Sequence, residues 1–157
     1  MIFAFVMTET TDPQVGAPRW ALTQVELDAF LRNVGEILAG KAVFRLESGG
    51  QPQVESFMAG QPSDYCNEPA KGLLGFFDTP AVLYMPATKE NLARLADLSE
   101  KYAEPEFGNA LAIYVDEQLI LSWHDLPDDP VYVSTVVPES DISTFCRLVD
   151  CSYSREP

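Results

Sequence analysis

Nine carboxylates and no lysine or arginine lie between residues 102 and 146, so this stretch is the first place to look for chemistry. Two close pairs, Asp116 with Glu117 and Asp128 with Asp129, fall in predicted turns, where aspartate is favoured by local hydrogen bonding. Their spacing does not follow the Asp-x-Asp-x-Asp-Gly pattern of a calcium loop. Such a stretch predicts either a solvated surface or an electrostatic docking face for a cationic partner.

The other reactive side chains are one histidine, His124, and three cysteines, Cys66, Cys146 and Cys151. A single histidine without a Cys-x-x-Cys pair does not make a standard zinc site. No nucleophile accompanies His124 in the sequence, and the helical spacing around Cys146 favours a small core residue. The chain also lacks a Gly-x-Ser-x-Gly elbow, a phosphate loop and a dinucleotide fingerprint. The sequence therefore predicts no catalytic residue, no cofactor and no metal site.

Charge and length limit the class of partner. The chain has 157 residues and a formal net charge of -14, with 46% hydrophobic residues. This charge disfavours nucleic acid and anionic membranes as partners and favours a basic protein. The length predicts a single domain over residues 1–157, with residues 1–18 as an extended leader whose start is either Met1 or Met7. An odd number of cysteines favours the reducing cytoplasm.

The candidate partner-binding residues combine the turn acids with nearby aromatic side chains. They are Asp116, Glu117, Asp125, Asp128, Asp129, Trp123, Phe76 and Phe77. The aromatic members could equally belong to the core, which sheets fill by default.

A helix is predicted over residues 23–39. Thr23 and Glu26 have the spacing of a capping box, and Leu22 and Leu27 have that of a hydrophobic staple. Apolar residues recur at helical spacing from Leu27 onwards, and glycine 40 is placed to end the helix.

The remaining elements follow from turn residues and hydrophobic periodicity. Strands are predicted at 42–47, 53–58, 81–85, 110–115, 119–123 and 131–137, and a surface loop containing Cys66 is predicted at 60–75. A second helix is capped by Thr88 and has Leu92 and Leu95 on one side. A last helix begins at Pro138, and its inward residues are Ile142, Phe145, Cys146 and Val149. Together they predict an α+β fold of order α-βββ-α-ββ(β)-α, with an antiparallel sheet and helices mainly on one face.

The last 65 residues or so resemble a known fold. The residues that carry the resemblance are Leu92-x-x-Leu95-x-x-Leu98, Phe107-Gly108, Val115-Asp116, Leu119-Ile120-Leu121 and Asp125-Leu126-Pro127, before a terminal helix. This pattern resembles the type III secretion chaperone-like fold, including the YbjN-type family. The resemblance implies a homodimer that binds an extended segment of a client protein and has no enzymatic activity.

Three functions remain open on the sequence alone. The first is a chaperone-like adaptor for a basic protein client, held at an exposed sheet edge. The second is a small acidic immunity or inhibitor protein that neutralises a basic toxin enzyme. The third, an enzyme using scattered carboxylates, would need acids that converge in a pocket. We expect no nucleic acid and no membrane partner for any of them.

Overall fold

The computed structural model describes residues 17–72 and 78–157 of the chain. Within these ranges the chain forms four α-helices, nine strands and one 3₁₀ turn. In chain order they are β1 (Arg19–Thr23), α1 (Leu27–Asn33), the 3₁₀ turn (Val34–Ile37), β2 (Ala42–Ser48), α2 (Pro52–Ala59), β3 (Lys71–Gly72), β4 (Asp78–Thr79), β5 (Val82–Pro86), α3 (Lys89–Lys101), β6 (Gly108–Val115), β7 (Gln118–Trp123), β8 (Val131–Ser134), α4 (Glu139–Val149) and β9 (Ser152–Glu156).

Seven of these strands form one sheet in the order β5-β2-β6-β7-β8-β1-β9, and every neighbouring pair is antiparallel. Strands β3 and β4 form a separate two-stranded sheet. The predicted α+β class with an antiparallel sheet is therefore confirmed. The predicted element order is wrong, because the chain begins and ends its described part with strands that the sequence pattern did not indicate.

One face of the large sheet carries the main hydrophobic core. Phe44, Leu111 and Trp123 project from it, and all three side chains are buried. Each helix in the described ranges buries its apolar side in the same core. Their contributions are Leu27, Phe30, Leu31, Val54, Met58, Leu92, Leu95, Ala96, Ile142, Phe145, Cys146 and Val149. The prediction that the helices lie mainly on one face is confirmed, which is the layered arrangement expected of this class.

The first helix begins later than predicted. Thr23 does not cap it, because Thr23 belongs to β1 and pairs with Ser152. The residue at the N-cap position is Glu26, which makes no capping hydrogen bond with its side chain. Trp20, also in β1, is buried and donates its indole N–H to the carbonyl oxygen of Val137 at 2.9 Å. Long-range strand pairing therefore prevails over a local capping signal, as tertiary context commonly does.

The predicted strand at 53–58 is also wrong, because these residues belong to α2. Pro52 is its first residue, and the Gln51 side-chain oxygen accepts a hydrogen bond from the Gln53 amide at 3.3 Å. Val54 and Met58, four residues apart, are fully buried on the sheet. A spacing of four residues is typical of a helix, but a segment this short does not distinguish a helix from a strand by its hydrophobic pattern alone. Residues 48–52, between the two predicted strands, are consequently the entry to a helix and not a hairpin turn.

The later local predictions are confirmed. The Thr88 hydroxyl oxygen accepts a hydrogen bond from the Asn91 amide at 3.1 Å and caps α3. Pro138 precedes α4, whose four predicted inward residues are all buried. The strand predicted at 131–137 exists but ends at Ser134. These elements form where the local signal and the tertiary pairing agree, which is the condition for a funnelled fold.

Gly49 lies where two loops approach closely, and this gives a first testable prediction. A Cβ atom at Gly49 would lie 1.8 Å from the backbone oxygen of Pro105. We expect Gly49→Ala to lower the free energy of unfolding by about 3 kcal/mol, because backbone must move to admit the methyl group. Urea denaturation measures this. Gly35→Ala is the matched control, since a Cβ atom at Gly35 would have nothing within 4 Å of it, and equal losses for the two variants would contradict the close approach.

Candidate binding surface

The structure divides the predicted acidic residues between two turns at opposite ends of β7. Asp116 and Glu117, here called the hairpin turn, join β6 to β7, and Asp125, Asp128 and Asp129 lie in the connection from β7 to β8. We call this second connection, residues 124–130, the aspartate turn. Strand β7 is six residues long, so the two turns are roughly 17 Å apart. The acidic residues therefore form two surfaces and do not meet as one.

The hairpin turn has both of its residues in the left-handed region, with φ of 49° at Asp116 and 69° at Glu117. This is the type I′ geometry that a two-residue hairpin requires. The Asp116 amide donates to the Lys41 carbonyl oxygen at 3.0 Å, and the Asp116 carboxylate accepts from the Lys41 amide at 3.2 Å. Gly40 leaves the room for this, since a Cβ there would lie 2.6 Å from the carboxylate. Asp116 therefore links the hairpin turn to the segment before β2 through two hydrogen bonds with Lys41.

Glu117 faces a small polar cluster on the sheet face opposite the helices. There the Lys41 amine forms an ion pair with Asp64, and this hydrogen bond raises the pKa of the Lys41 amine above its ordinary value. Tyr65 stacks on Tyr84 with 5.1 Å between ring centroids. Partial burial raises the pKa of the Tyr65 hydroxyl, and the nearby Glu117 carboxylate raises it further. Glu117 is thus near a cation that is already paired within the chain.

Glu117 occupies a position that glycine would fill with less strain, which gives a second prediction. A non-glycine residue in the left-handed region costs about 1 kcal/mol, and Asp-Gly is a preferred type I′ sequence. We expect Glu117→Gly to raise the free energy of unfolding by about 1 kcal/mol in a urea titration. Gln118→Gly, at the neighbouring strand position, is the control and should lower it by about 0.5 to 1 kcal/mol. A loss of stability in Glu117→Gly would contradict the strain.

The aspartate turn is fixed by its backbone, and its carboxylates point outward. The Asp128 amide donates to the Asp125 carbonyl oxygen at 2.8 Å, and the Leu126 amide donates to the Asn109 carbonyl oxygen at 2.9 Å. Asp125, Asp128 and Asp129 are all exposed. The ion pairs formed between described residues do not include any of the three. The turn therefore presents three ordered negative charges to solvent, and no cation among residues 17–72 and 78–157 forms an ion pair with them.

The aromatic candidates do not join this surface. Trp123 is fully buried, its ring lies edge-on to Phe30 at 5.3 Å, and its indole N–H donates to the Asp129 carbonyl oxygen at 2.8 Å. The prediction that Trp123 contacts a partner is therefore corrected: it is a core residue that also holds the aspartate turn in place. Phe76 and Phe77 lie outside the described residues.

The two edges of the sheet differ, and the sequence pattern did not reveal this. On the β5 edge, Val82 exchanges two backbone hydrogen bonds with Glu68, each of 2.8 Å, and the Tyr84 amide donates to the Asn67 side-chain oxygen at 2.9 Å. On the other edge, β9 pairs with β1 on one side, and no further strand pairs with it among residues 17–72 and 78–157. One edge is therefore covered and the other is open within the described part of the chain.

A cavity of about 390 Å³ lies between α1, the 3₁₀ turn and the start of α3. Arg32, Lys41 and Lys89 line it together with Glu36. The Arg32 guanidinium donates to Asp97 and Glu100 at 2.8 Å each, which raises its pKa above the ordinary value. Two of the three cations at this cavity, Arg32 and Lys41, are thus bound to acids of the chain.

The described residues bring no three His, Cys, Asp or Glu side chains together as a metal site would need. His124 is half-buried just beyond the end of β7. None of the helices in residues 17–72 and 78–157 is long and apolar enough to cross a membrane. No protein-family model, no curated protein and no solved structure matches the chain. Within residues 17–72 and 78–157 the architecture is that of an α+β protein with a seven-stranded antiparallel sheet, helices on one face and one sheet edge without a further paired strand.

Proposed function

We propose that this protein is a non-catalytic binding module of the cytoplasm, a chaperone-like adaptor that holds an extended segment of a basic client protein along β9. The observation that carries the proposal is the outer edge of β9, with which no other strand of residues 17–72 and 78–157 pairs, opposite an edge that Glu68 and Asn67 cover. An extended segment can add to such an edge through backbone hydrogen bonds, while neighbouring pockets take alternate side chains.

Helix α4, which packs against β9, exposes one large apolar side chain. Leu148, on the outer side of α4, is 54% exposed, and it is one of two large hydrophobic side chains exposed in the described ranges. Helix α4 packs against β9, so Leu148 belongs to the element beside the open edge. In this proposal a client strand on β9 also buries an apolar side chain against Leu148. The backbone would provide affinity and this contact part of the selectivity.

The charge of the chain supports a basic client. The chain carries 24 acidic residues against 10 lysines and arginines, for a net charge of -14. A field of this sign accelerates encounter with a cationic partner and disfavours anionic ones, although it adds less to final affinity. The client in this proposal is thus a basic protein or a basic segment of one, and neither nucleic acid nor an anionic membrane.

The proposal includes the homodimer that the resemblance to the type III secretion chaperone-like fold implies. Light scattering after size-exclusion chromatography should then give about twice the chain mass of 17.4 kDa. A monodisperse monomer at all concentrations would remove the dimer and the resemblance as support for the adaptor.

Site-specific photo-cross-linking tests the binding edge directly. We would place a photoreactive amino acid at Ser154, which is exposed in the middle of β9, and a control at Glu90, which is exposed on α3. Irradiation in the native host should give client adducts at Ser154 and none of the same adducts at Glu90. Adducts that are identical at both positions, or absent from Ser154, would reject β9 as the docking strand.

The alternative function, a small acidic immunity or inhibitor protein, has its own support in the aspartate turn. A basic enzyme could dock on three ordered carboxylates that the described ion pairs leave uncompensated. This reading requires a one-to-one complex and no strand addition at β9. The charge-reversal experiment in the Discussion separates the two functions.

A further inference from the structure

The end of α4 brings two cysteines into contact. Asp150 follows the helix in the left-handed conformation, with φ of 55° and ψ of 48°. The carbonyl oxygen of Cys146 accepts hydrogen bonds from the amides of Asp150 and Cys151, the latter at 2.9 Å. This six-to-one bond is the mark of a Schellman motif, in which the side chains at the positions of Cys146 and Cys151 commonly meet.

The surroundings of the two thiols are different. Cys146 belongs to the main core and is 4% exposed, while Cys151 is packed against that core and is partly exposed. Cys66 lies elsewhere on the surface. From the Schellman geometry and the packing of both side chains at one place, we propose that Cys146 and Cys151 are a redox-active pair that forms an intramolecular disulfide.

A hydrogen bond between the thiols supports this pairing. Because the Cys151 thiol donates to Cys146, the pKa of Cys146 lies below its ordinary value and the pKa of Cys151 lies above it. The hydrogen bond places the two sulfur atoms next to each other, and from this position a thiolate at one can attack the sulfur of the other. Exposure decides the order of reaction, since an external disulfide reaches Cys151 first.

The oxidant in this proposal is a small disulfide such as oxidised glutathione. Cys151 loses its proton to solvent, and its thiolate attacks one glutathione sulfur, which breaks the glutathione S–S bond and releases one glutathione thiolate. Cys146 then loses its own proton to solvent, and its thiolate attacks the Cys151 sulfur in the mixed disulfide and releases the second glutathione thiolate. Two protein thiols are oxidised, one glutathione disulfide is reduced, and the two protons end on the glutathione thiols.

The bond would join the last turn of α4 to the residue before β9. Strand β9 begins at Ser152, whose partner in β1 is Thr23. A disulfide across a six-residue loop restricts the unfolded chain, and for a protein of this size it should raise Tm by about 5 °C. It should also slow amide hydrogen exchange in β9, because the start of that strand becomes covalently fixed.

Trapping in glutathione redox buffers tests the pair. A Cys66→Ser variant keeps the pair and removes the third thiol. The protein is equilibrated at increasing ratios of oxidised to reduced glutathione and denatured in the presence of N-ethylmaleimide. Its mass is then measured by intact mass spectrometry. We expect the species with two maleimide adducts to convert into one with none, while species with one adduct stay minor, and Tm to rise by about 5 °C.

The double variant Cys66→Ser with Cys151→Ser is the control. Cys151 is partly exposed, so serine should be tolerated, and a Tm within about 2 °C of the reduced parent would verify that the variant folds. It should show no rise in Tm with oxidised glutathione. Accumulation of a stable glutathione adduct on the Cys66→Ser parent, or two reactive thiols at every buffer ratio, would overturn the proposal.

Discussion

Replacement of Trp123 by alanine is expected to lower the free energy of unfolding by about 4 kcal/mol, the range found when large aromatic side chains are removed from cores. Trp123 has no exposed surface, and its ring packs edge-on to Phe30 at 5.3 Å. Its indole N–H also donates to the Asp129 carbonyl oxygen at 2.8 Å, so the truncation removes one of the hydrogen bonds that hold the aspartate turn. Guanidinium denaturation followed by far-UV circular dichroism measures the loss without relying on tryptophan fluorescence.

Two further variants show which part of Trp123 matters. Trp123→Phe keeps an aromatic ring and removes the hydrogen bond to Asp129, so we expect a smaller loss of about 2 kcal/mol. Leu148→Ala is the surface control; its side chain is 54% exposed, and the expected change is within about 0.5 kcal/mol. A Trp123→Ala protein of native stability would contradict the core position of Trp123.

The helices and hairpins that the sequence predicts correctly are those for which a local signal agrees with the tertiary arrangement. Thr88 has a side chain that caps a helix, and the helix that follows it has one apolar side. The hairpin turn at Asp116 and Glu117 separates two hydrophobic strands that pair with each other directly. In such cases the interaction that forms the element is close in sequence, so the pattern is sufficient to predict it.

Strands β1 and β9, whose pairing partners are distant in the chain, were not predicted from the sequence. Strand β1 pairs with β8 and β9, more than one hundred residues later, and this pairing takes Thr23 away from the helix it would otherwise cap. Strand β9 has only Tyr153 as a large apolar side chain, and it lies at the sheet edge with no hairpin turn to reveal it. A single sequence contains no local signal for either pairing, because strand propensity depends mostly on context.

The candidate surface was predicted in part. The turns that contain Asp116 and Asp128 were both expected, and one predicted strand separated them, so their placement at opposite ends of that strand could have been inferred. Trp123 also shares a face of β7 with Leu121, two residues before it, which indicates a core position. The open edge of β9 could not be inferred without the strand order of the sheet.

Charge reversal at the aspartate turn separates the two proposed functions by its effect on partner binding. Asp128→Lys with Asp129→Lys changes the net charge from -14 to -10, each substitution contributing two charges. Because both carboxylates are exposed and the described ion pairs do not include them, little stability should be lost. If a basic enzyme docks on this turn, we expect its association rate at low salt to fall at least about tenfold.

The matched control reverses the same amount of charge away from the aspartate turn. Glu36→Lys with Glu90→Lys also gives a net charge of -10, and both glutamates are exposed and outside the described ion pairs. Asp116 is unsuitable for this comparison, because its carboxylate holds the Lys41 backbone and its loss would disturb the fold. Stopped-flow mixing at several salt concentrations measures the rate for each variant against the partner recovered from the native host by pull-down with the unsubstituted protein.

The two proposed functions predict different association and dissociation rates for these two variants. An inhibitor that docks through the aspartate turn loses association rate in the Asp128 and Asp129 variant far more than in the control, and its dissociation rate rises as well. An adaptor that binds along β9 depends on backbone hydrogen bonds, so both variants slow association by a similar factor and leave dissociation unchanged. Equal slowing together with Ser154 cross-links therefore supports the adaptor, while a selective effect without those cross-links supports the inhibitor. If neither variant changes the rate, the negative charge serves solubility alone.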